Sequence, residues 1–156
     1  MSDGLAISGV LGLMTIAAAF YWNRRLFQDN AAGRVTPLEA IYYAVGICSL
    51  LLGWYFNVRY VHHYGHRATY VNYTKMLFTN WAADSAAQDY IIVNVVLLTL
   101  WTIIDGRRRD LRIPWIFFVM SLFTSLAFSM AMFLAFIERQ LRFNATRRYE
   151  AASSTA

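Results

Sequence analysis

The stretch "WAADSAAQDYIIVNVVLLTLW", residues 81–101, carries two carboxylates directly ahead of an uninterrupted apolar run. The carboxylates are Asp84 and Asp89, and Asn94 lies about one helical turn further in. An apolar helix needs about 20 residues to cross the hydrocarbon core of a bilayer, and this stretch is long enough. It therefore predicts a membrane helix with polar groups near its beginning.

The composition of the whole chain indicates the same class of protein. Of the 156 residues, 58% are hydrophobic and only 15% are charged, whereas an ordinary soluble domain has roughly 25% charged residues. The apolar residues are gathered in blocks, which cover residues 5–22, 37–56, 81–104 and 113–137. These blocks predict an all-α, polytopic membrane protein with four transmembrane helices. We expect a single domain over residues 1–142 and a polar C-terminal tail, 143–156.

Arginines fill the two short loops between the predicted helices. The first loop contains Arg24, Arg25 and Arg34, and the second is "DGRRRDLR", residues 105–112. Four crossings would place these two loops on one side of the membrane, with both termini and the 57–80 loop on the other. Short loops rich in Lys and Arg mark the cytoplasmic side, so we expect these two loops to be cytoplasmic.

The net charge of +5 comes from arginines at helix ends rather than from one basic face. Attraction to anionic lipids accounts for such a pattern, so membrane lipids are expected partners. Nucleic acid is not, because the basic footprint of a nucleic-acid-binding domain is lacking. Four crossings would place a second set of arginines opposite the two short loops: Arg139, Arg142, Arg147 and Arg148.

Small residues recur every four positions within the predicted helices. Ser49 and Gly53 form such a pair on the second helix, and Ser121, Ser125 and Ser129 form a stripe on the fourth. Small side chains let helix backbones approach closely, which matters in a bilayer because lipid provides no hydrophobic drive for helix association. We interpret these residues as helix-packing positions of an internal seam, with a homodimer face as the alternative.

The 57–80 connection is long, and its later part, residues 69–78, is a candidate for a short interfacial helix. Its segment "HHYGH" contains His62, His63 and His66. Imidazole is the commonest transition-metal ligand, but the adjacent His62 and His63 would diverge on any regular element. We therefore predict no metal site and no cofactor. The three histidines stay candidates for a cofactor contact, and bound lipid or pigment is left open.

Ordinary roles are expected for the polar groups of the third helix. Asp84 begins the helix, where the helix dipole favours a carboxylate. Asp89 is expected near the membrane interface. Asn94 lies deeper in the apolar run and needs a partner, for which Ser125 and Ser129 on the fourth helix are the expected choices.

A group of short motifs resembles a known family. The motifs are "GWYFN" (53–57), "NWAADSAAQD" (80–89), "WTIIDGRR" (101–108), "PW" (114–115) and "IERQL" (137–141). Together, over residues 50–142, they resemble the small bacterial membrane proteins called domain of unknown function 2834. The resemblance implies a compact helical membrane protein of bacterial origin, and it implies no activity and no catalytic residue. We expect the protein to be a multi-pass protein of the bacterial inner membrane.

Two functions remain open at this point. The first is a non-catalytic accessory subunit of a larger membrane complex of respiratory or photosynthetic type, which would pack against other subunits through aromatic and small-residue faces. The second is a small integral-membrane enzyme acting on an isoprenoid or lipid, with Asp89 as the intramembrane acid and Asn94 behind it. Asp89 and Asp105 are about 24 Å apart along a helix, too far for a paired acid/base mechanism. An ion pair with the neighbouring arginines is the expected role of Asp105, and the accessory subunit is the favoured function.

Overall fold

The computed structural model describes residues 3–28 and 32–154, and these residues form an all-helical fold without a strand. The α-helices are α1 (Asp3–Trp22), α2 (Pro37–Tyr64), α3 (Tyr70–Leu77), α4 (Trp81–Ile91), α5 (Thr99–Arg108), α6 (Ile116–Phe123) and α7 (Leu126–Ser153). A π-helical segment, Ile92–Leu98, joins α4 to α5, so that the three form one continuous helix. The all-α prediction is confirmed.

Within residues 3–28 and 32–154, two helices are long and apolar enough to cross a membrane, judged by length and composition. One covers Pro37–Arg67, which includes the short turn after α2, and the other covers Trp81–Arg108. They correspond to the second and third predicted spans. The apolar part of α1, Ala6–Trp22, is shorter.

The fourth predicted block, residues 113–137, is not one helix. The chain breaks at Thr124 and Ser125, which separate α6 from α7. Ser125 has an extended backbone, with φ −155° and ψ 156°, and its hydroxyl accepts a hydrogen bond from the Phe128 amide at 3.1 Å. Serine is a preferred N-cap residue. The prediction of an uninterrupted helix is wrong because a capping serine inside the apolar block starts a new helix.

The helices α6 and α7 lie side by side as a hairpin at the centre of the bundle. The Ser129 hydroxyl donates to the Phe117 carbonyl, and the rings of Phe117 and Phe133 pack edge to face with centroids 5.5 Å apart. Met120 and Phe136 are fully buried beside them. On the outside of the hairpin, α1 packs against α6 and α2 packs against α7.

The second half of α7 returns to the end of the bundle where α1 ends and α2 begins. Arg139 Nε donates to the Leu26 carbonyl at 2.7 Å, and Asn144 Nδ2 donates to the Arg109 carbonyl at 3.3 Å. We call this end the loop end, because both arginine-rich loops lie there. The prediction that the last arginines lie opposite these loops is wrong, since the reversal between α6 and α7 sends the chain back to the end from which α6 starts.

The tip of the hairpin reaches the middle of α1 and α2. The hydroxyl oxygens of Ser125 and Ser49 are 2.9 Å apart. A Cβ on Gly12 would lie 3.1 Å from the Phe123 carbonyl oxygen. Ser49 lies about 18 Å along α2 from Pro37, at 1.5 Å per residue, so α2 continues well beyond the tip.

Helices also occupy segments for which a loop or a tail is predicted. α2 extends to Tyr64 and ends at Gly65, whose φ of +53° suits glycine. α3 lies within the 69–78 segment, where a short helix is predicted, and the Thr69 side chain caps it. α7 continues to Ser153, well into the predicted polar tail.

Candidate functional site

Asn94 lies on the π-helical segment and is buried, with 4% of its surface exposed. Its Oδ1 accepts a hydrogen bond from the Ser121 hydroxyl at 2.7 Å, and its Nδ2 donates to the Tyr90 hydroxyl at 3.4 Å. The expected partners bond elsewhere: Ser125 caps α7 and Ser129 lies on α7, so the break after α6 separates both from Ser121. Asn94 thus ties the α4–α5 helix to α6.

Asp89 does not meet Asn94. Asp89 is exposed and accepts a hydrogen bond from Gln88 Nε2 at 2.6 Å, whereas Asn94 is buried against α6. The two side chains that would form the acid site of a lipid-directed enzyme therefore lie on different faces of their helix. The structure does not bring them together.

The N-cap residue of α4 is not Asp84, the residue with which this helix is predicted to begin. Asn80 is the N-cap residue, and its Oδ1 accepts hydrogen bonds from the amides of Ala82 at 3.1 Å and Ala83 at 3.0 Å. Asp84 lies within the first turn, where the helix dipole still favours its charge. Its Oδ1 is enclosed and has no hydrogen-bond partner.

Asp105 at the other end of this helix is paired. Arg109 Nε lies 2.9 Å from Asp105 Oδ1 and 2.8 Å from Oδ2. The pair is one helical turn apart in the chain and partly exposed, with 37% of the Arg109 side chain and 22% of the Asp105 side chain accessible. Such pairs contribute little to stability, and this one explains Asp105 as an ordinary ion pair of the helix end.

The three histidines lie at the end of the bundle away from the loop end. His62 and His63 belong to the last turn of α2, His66 lies in the turn that follows, and all three are exposed. The His63 ring packs edge to face on Tyr64 with centroids 4.7 Å apart. Within the described part of the chain, no group of three His, Cys, Asp or Glu side chains is placed to hold a metal ion.

The small residues are used for contacts within this chain. Ser49 bonds Ser125 at the hairpin tip, and a Cβ on Gly53 would lie 3.8 Å from the Ser125 Cβ. Ser121 bonds Asn94, and Ser129 bonds the carbonyl of a neighbouring helix within the hairpin. These contacts belong to an internal seam of the bundle, and the partly exposed Ser49, Gly53 and Ser125 also line an open groove beside it.

A buried ionic cluster at the loop end is the most elaborate polar site of the described residues. Glu39 is fully buried in the first turn of α2. Its Oε1 lies 2.7 Å from Arg139 Nη1 and accepts a hydrogen bond from the Tyr43 hydroxyl at 3.1 Å. Its Oε2 bonds Arg142 Nη2. We call these four residues the Glu39 cluster.

The arginines of the Glu39 cluster also hold the loop that joins α1 to α2. Arg139 donates to the Leu26 carbonyl, and its guanidinium lies over the Phe27 ring at 4.4 Å from the centroid. Arg142 donates to the Ala32 carbonyl at 2.8 Å. A carboxylate so enclosed and so fully paired has no free oxygen for catalysis, and the cluster fastens the loop and α2 to α7.

Glu39 lies in the first turn of α2, where the helix dipole also favours a carboxylate, but the topology with four crossings places Arg139 and Arg142 on the opposite side of the membrane. One signal in the sequence does point to the cluster. Arg139 and Arg142 are three residues apart and so share a helix face. They follow directly on an apolar run, where unpaired charges would be costly.

A second polar arrangement fixes the 109–113 loop. Asn23 is fully buried, its Nδ2 donates to the Arg112 carbonyl at 3.0 Å, and its Oδ1 accepts from the Arg112 amide at 3.0 Å. Asp110 and Ile113 have positive φ angles of 62° and 50°. Positive φ is unfavourable for a β-branched residue, so the two bonds from Asn23 hold this loop in a strained conformation.

Fold and site together define a small all-helical protein with two membrane-length helices and a charged cluster enclosed at one end. Residues 41–139 match the family model described as protein of unknown function DUF2834. This match covers more than half of the chain, so the chain belongs to that family, and the family predicted from the motifs is confirmed. Searches of curated proteins and of solved structures gave no match.

Proposed function

We propose that the chain is a multi-pass protein of a bacterial inner membrane in which α1, α2 and the α4–α5 helix cross the bilayer. The α6–α7 hairpin then enters from the loop end and turns back near the middle of the membrane. The contact between Ser125 and Ser49 supports this arrangement, because it holds the hairpin tip halfway along α2. This proposal replaces the fourth crossing helix of the sequence-based topology.

In this arrangement the excess of basic residues at the loop end is larger than in the topology with four crossings. A cytoplasmic loop end is therefore favoured more clearly. With α7 turned back, the loop end gathers Arg24, Arg25, Arg34, Arg107, Arg108, Arg109, Arg112, Arg139, Arg142, Arg147 and Arg148. The described basic residues near the opposite end are Arg59, Arg67 and Lys75. Because basic residues near helix ends accumulate on the cytoplasmic side, we assign the loop end to the cytoplasm.

Within that membrane, we propose that the chain is a non-catalytic subunit of a larger assembly, with lipids and other membrane subunits as its partners. The observation that carries this proposal is the bare surface of its two long helices. In the most apolar stretch of Pro37–Arg67 only 6% of the residues are buried within the chain, and in that of Trp81–Arg108 only 22%. So little self-burial leaves most of both helices for contacts with partners or lipid.

The middle of α2, residues 44–56, carries the surface best shaped for a partner helix. It forms a shallow apolar groove lined by Ala44, Cys48, Leu52 and Phe56, beside the hairpin tip. Small side chains along a groove permit close approach of another helix backbone, which is the main source of packing energy between helices in lipid. The aromatic ring of Phe56, 63% exposed, offers a large contact at its edge.

Purification of the tagged full chain from its native membranes in a mild detergent tests this function. We expect membrane proteins to copurify in fixed stoichiometry, and we expect the double variant L52A/F56A to lose them while remaining folded. L97A/L100A is the matched control, since these leucines are equally apolar and each is 52% exposed on the other long helix. A chain that elutes alone in both wild-type and variant forms would overturn the proposal.

A further inference from the structure

Two arginines converge at the loop end on one aromatic ring, and the charge of a third, Arg112, lies close to one of them. The guanidinium groups of Arg25 and Arg147 lie 5.4 Å and 5.5 Å from the centroid of Phe143. Burial lowers the pKa of the Arg25 guanidinium, and the nearby charges of Arg112 and Arg147 lower it further, against an opposing contribution from Asp110. We call Arg25, Arg112 and Arg147 the arginine triad.

Hydrogen bonds that involve the backbone fix two members of the arginine triad, Arg112 and Arg25, whereas Arg147 is placed by its packing on Phe143. Asn23 bonds both the amide and the carbonyl of Arg112, and Arg25 Nη2 donates to the Asp110 carbonyl and to Gln140 Oε1 at 3.3 Å. The same loop keeps two positive φ angles. The 109–113 loop, which is held in a strained conformation, thus brings the positive charges of Arg25 and Arg112 close together although they repel each other.

Acidic groups nearby leave the charge of the triad largely uncompensated. Glu39 forms ion pairs with Arg139 and Arg142, and Asp105 forms one with Arg109. Glu138 lies 3.9 Å from Arg142. Asp110 is the acidic group close to Arg25, and among the described residues no carboxylate forms an ion pair with Arg112 or Arg147, which are both exposed.

Aromatic residues place the arginine triad at the level of lipid headgroups. Arg24 lies over the Tyr21 ring at 5.4 Å from its centroid, next to the partly buried Trp22 that ends α1. Trp115 is 46% exposed at the start of the hairpin. Tyr and Trp are enriched at the membrane–water interface, where lipid phosphates lie.

We propose that the arginine triad is a binding site for a phosphate group. Guanidinium groups bind phosphate oxygens through charge-assisted, often paired hydrogen bonds, and Arg is the side chain best suited to this recognition. The phosphate belongs either to the headgroup of an anionic phospholipid or to a free anion. The site goes beyond the proposed subunit function, since it requires no protein partner.

The experiment uses the full chain in detergent micelles with two double variants. R112Q/R147Q removes the exposed members of the triad and leaves Arg25 with its backbone contacts. R107Q/R108Q is the matched control, because it removes the same charge from exposed side chains at the same end of the molecule. Native mass spectrometry counts retained phosphatidylglycerol against phosphatidylcholine, and thermal melting compares sodium phosphate with sodium chloride at equal ionic strength.

We expect wild type and R107Q/R108Q to prefer phosphatidylglycerol, and R112Q/R147Q to bind it about 25-fold less tightly, since each basic residue near a lipid surface contributes on the order of a factor of five. A preference for phosphatidylglycerol in native mass spectrometry, without thermal stabilisation by inorganic phosphate, identifies a lipid headgroup as the ligand. Stabilisation by inorganic phosphate that R112Q/R147Q abolishes identifies a free anion. Equal losses of phosphatidylglycerol binding in both double variants would overturn the proposed site. So would the absence of any preference for phosphatidylglycerol over phosphatidylcholine or for phosphate over chloride.

Discussion

Glu39 and Arg139 are separated by 100 residues in the chain, yet Arg139 Nη1 lies 2.7 Å from Glu39 Oε1 at the loop end. The carboxylate is fully buried, and the Arg139 side chain is only 11% exposed. This ion pair can form only if α7 returns to the end where α2 begins. It therefore fixes the direction of the last helix as well as the anchoring of the first loop.

Substitution of the buried carboxylate should strongly destabilise the fold. We expect Glu39→Gln to lower the free energy of unfolding by about 3–5 kcal/mol, because the buried Arg139 and the partly buried Arg142 lose their counter-charge. Denaturant unfolding in detergent measures this. Glu138→Gln is the control, since Glu138 is 26% exposed and lies 3.9 Å from Arg142, and its loss should cost less than about 1 kcal/mol. Equal costs for both variants would contradict the role assigned to Glu39.

Cysteine labelling in intact membranes should separate the hairpin from a fourth crossing helix. In a Cys48→Ser background, the variants R34C, R108C and R148C should all react from the cytoplasmic side. H63C should react from the other side. The native Cys48 is exposed and has to be removed first. Labelling of R148C from the same side as H63C would restore the four-crossing topology.

The contact between Asn94 and Ser121 should be measurable as a coupled pair. Asn94→Leu and Ser121→Ala should each lower stability by on the order of 1 kcal/mol, the value typical of interhelical hydrogen bonds in membranes. The double variant should cost clearly less than both single variants together, because they share one bond. Thr99→Ala is the control, since the Thr99 hydroxyl bonds only its own helix at Val95. Additive losses for Asn94 and Ser121 would count against the bond.

Close packing of α5 on the start of the hairpin should make Gly106 intolerant of a side chain. A Cβ there would lie 2.4 Å from the Pro114 Cβ, a distance that forces the backbone to shift. We expect Gly106→Ala to lower stability by about 1–3 kcal/mol through overpacking. At Gly4 nothing lies within 4 Å of an added Cβ, so Gly4→Ala should cause no loss. A neutral Gly106→Ala would mean that α5 and the 109–115 segment are less tightly packed.

Local signals in the sequence were sufficient for part of the fold. Apolar length predicts the helix over 81–104 and a block that begins at residue 37, where α2 begins. The Thr36 hydroxyl caps α2 by accepting a hydrogen bond from the Glu39 amide. The family was also predictable, because the motifs over residues 50–142 overlap the matched region. These features depend on neighbours within a few turns of helix.

The path of the last helix was not predictable in the same way. Hydropathy does not distinguish a crossing helix from two antiparallel helices over 113–137, because both bury the same apolar residues. The deciding features are the Ser125 cap and the distant pairing of Arg139 and Arg142 with Glu39. Once the block was taken as one crossing, the charges after it were assigned to the wrong end, and the partner of Asn94 was sought on the wrong segment.

The hairpin also sets an order of events during synthesis. The α1–α2 loop and α2 leave the ribosome long before α7. Glu39 is therefore synthesised 100 residues before its partner Arg139. During that interval the nascent chain carries an unneutralised carboxylate at the start of an apolar helix, which water or a transient partner has to solvate. Closure of the α6–α7 hairpin is then the last step of assembly. It joins the helices made earlier into one body, and the buried pair of Glu39 with Arg139 forms only at that point.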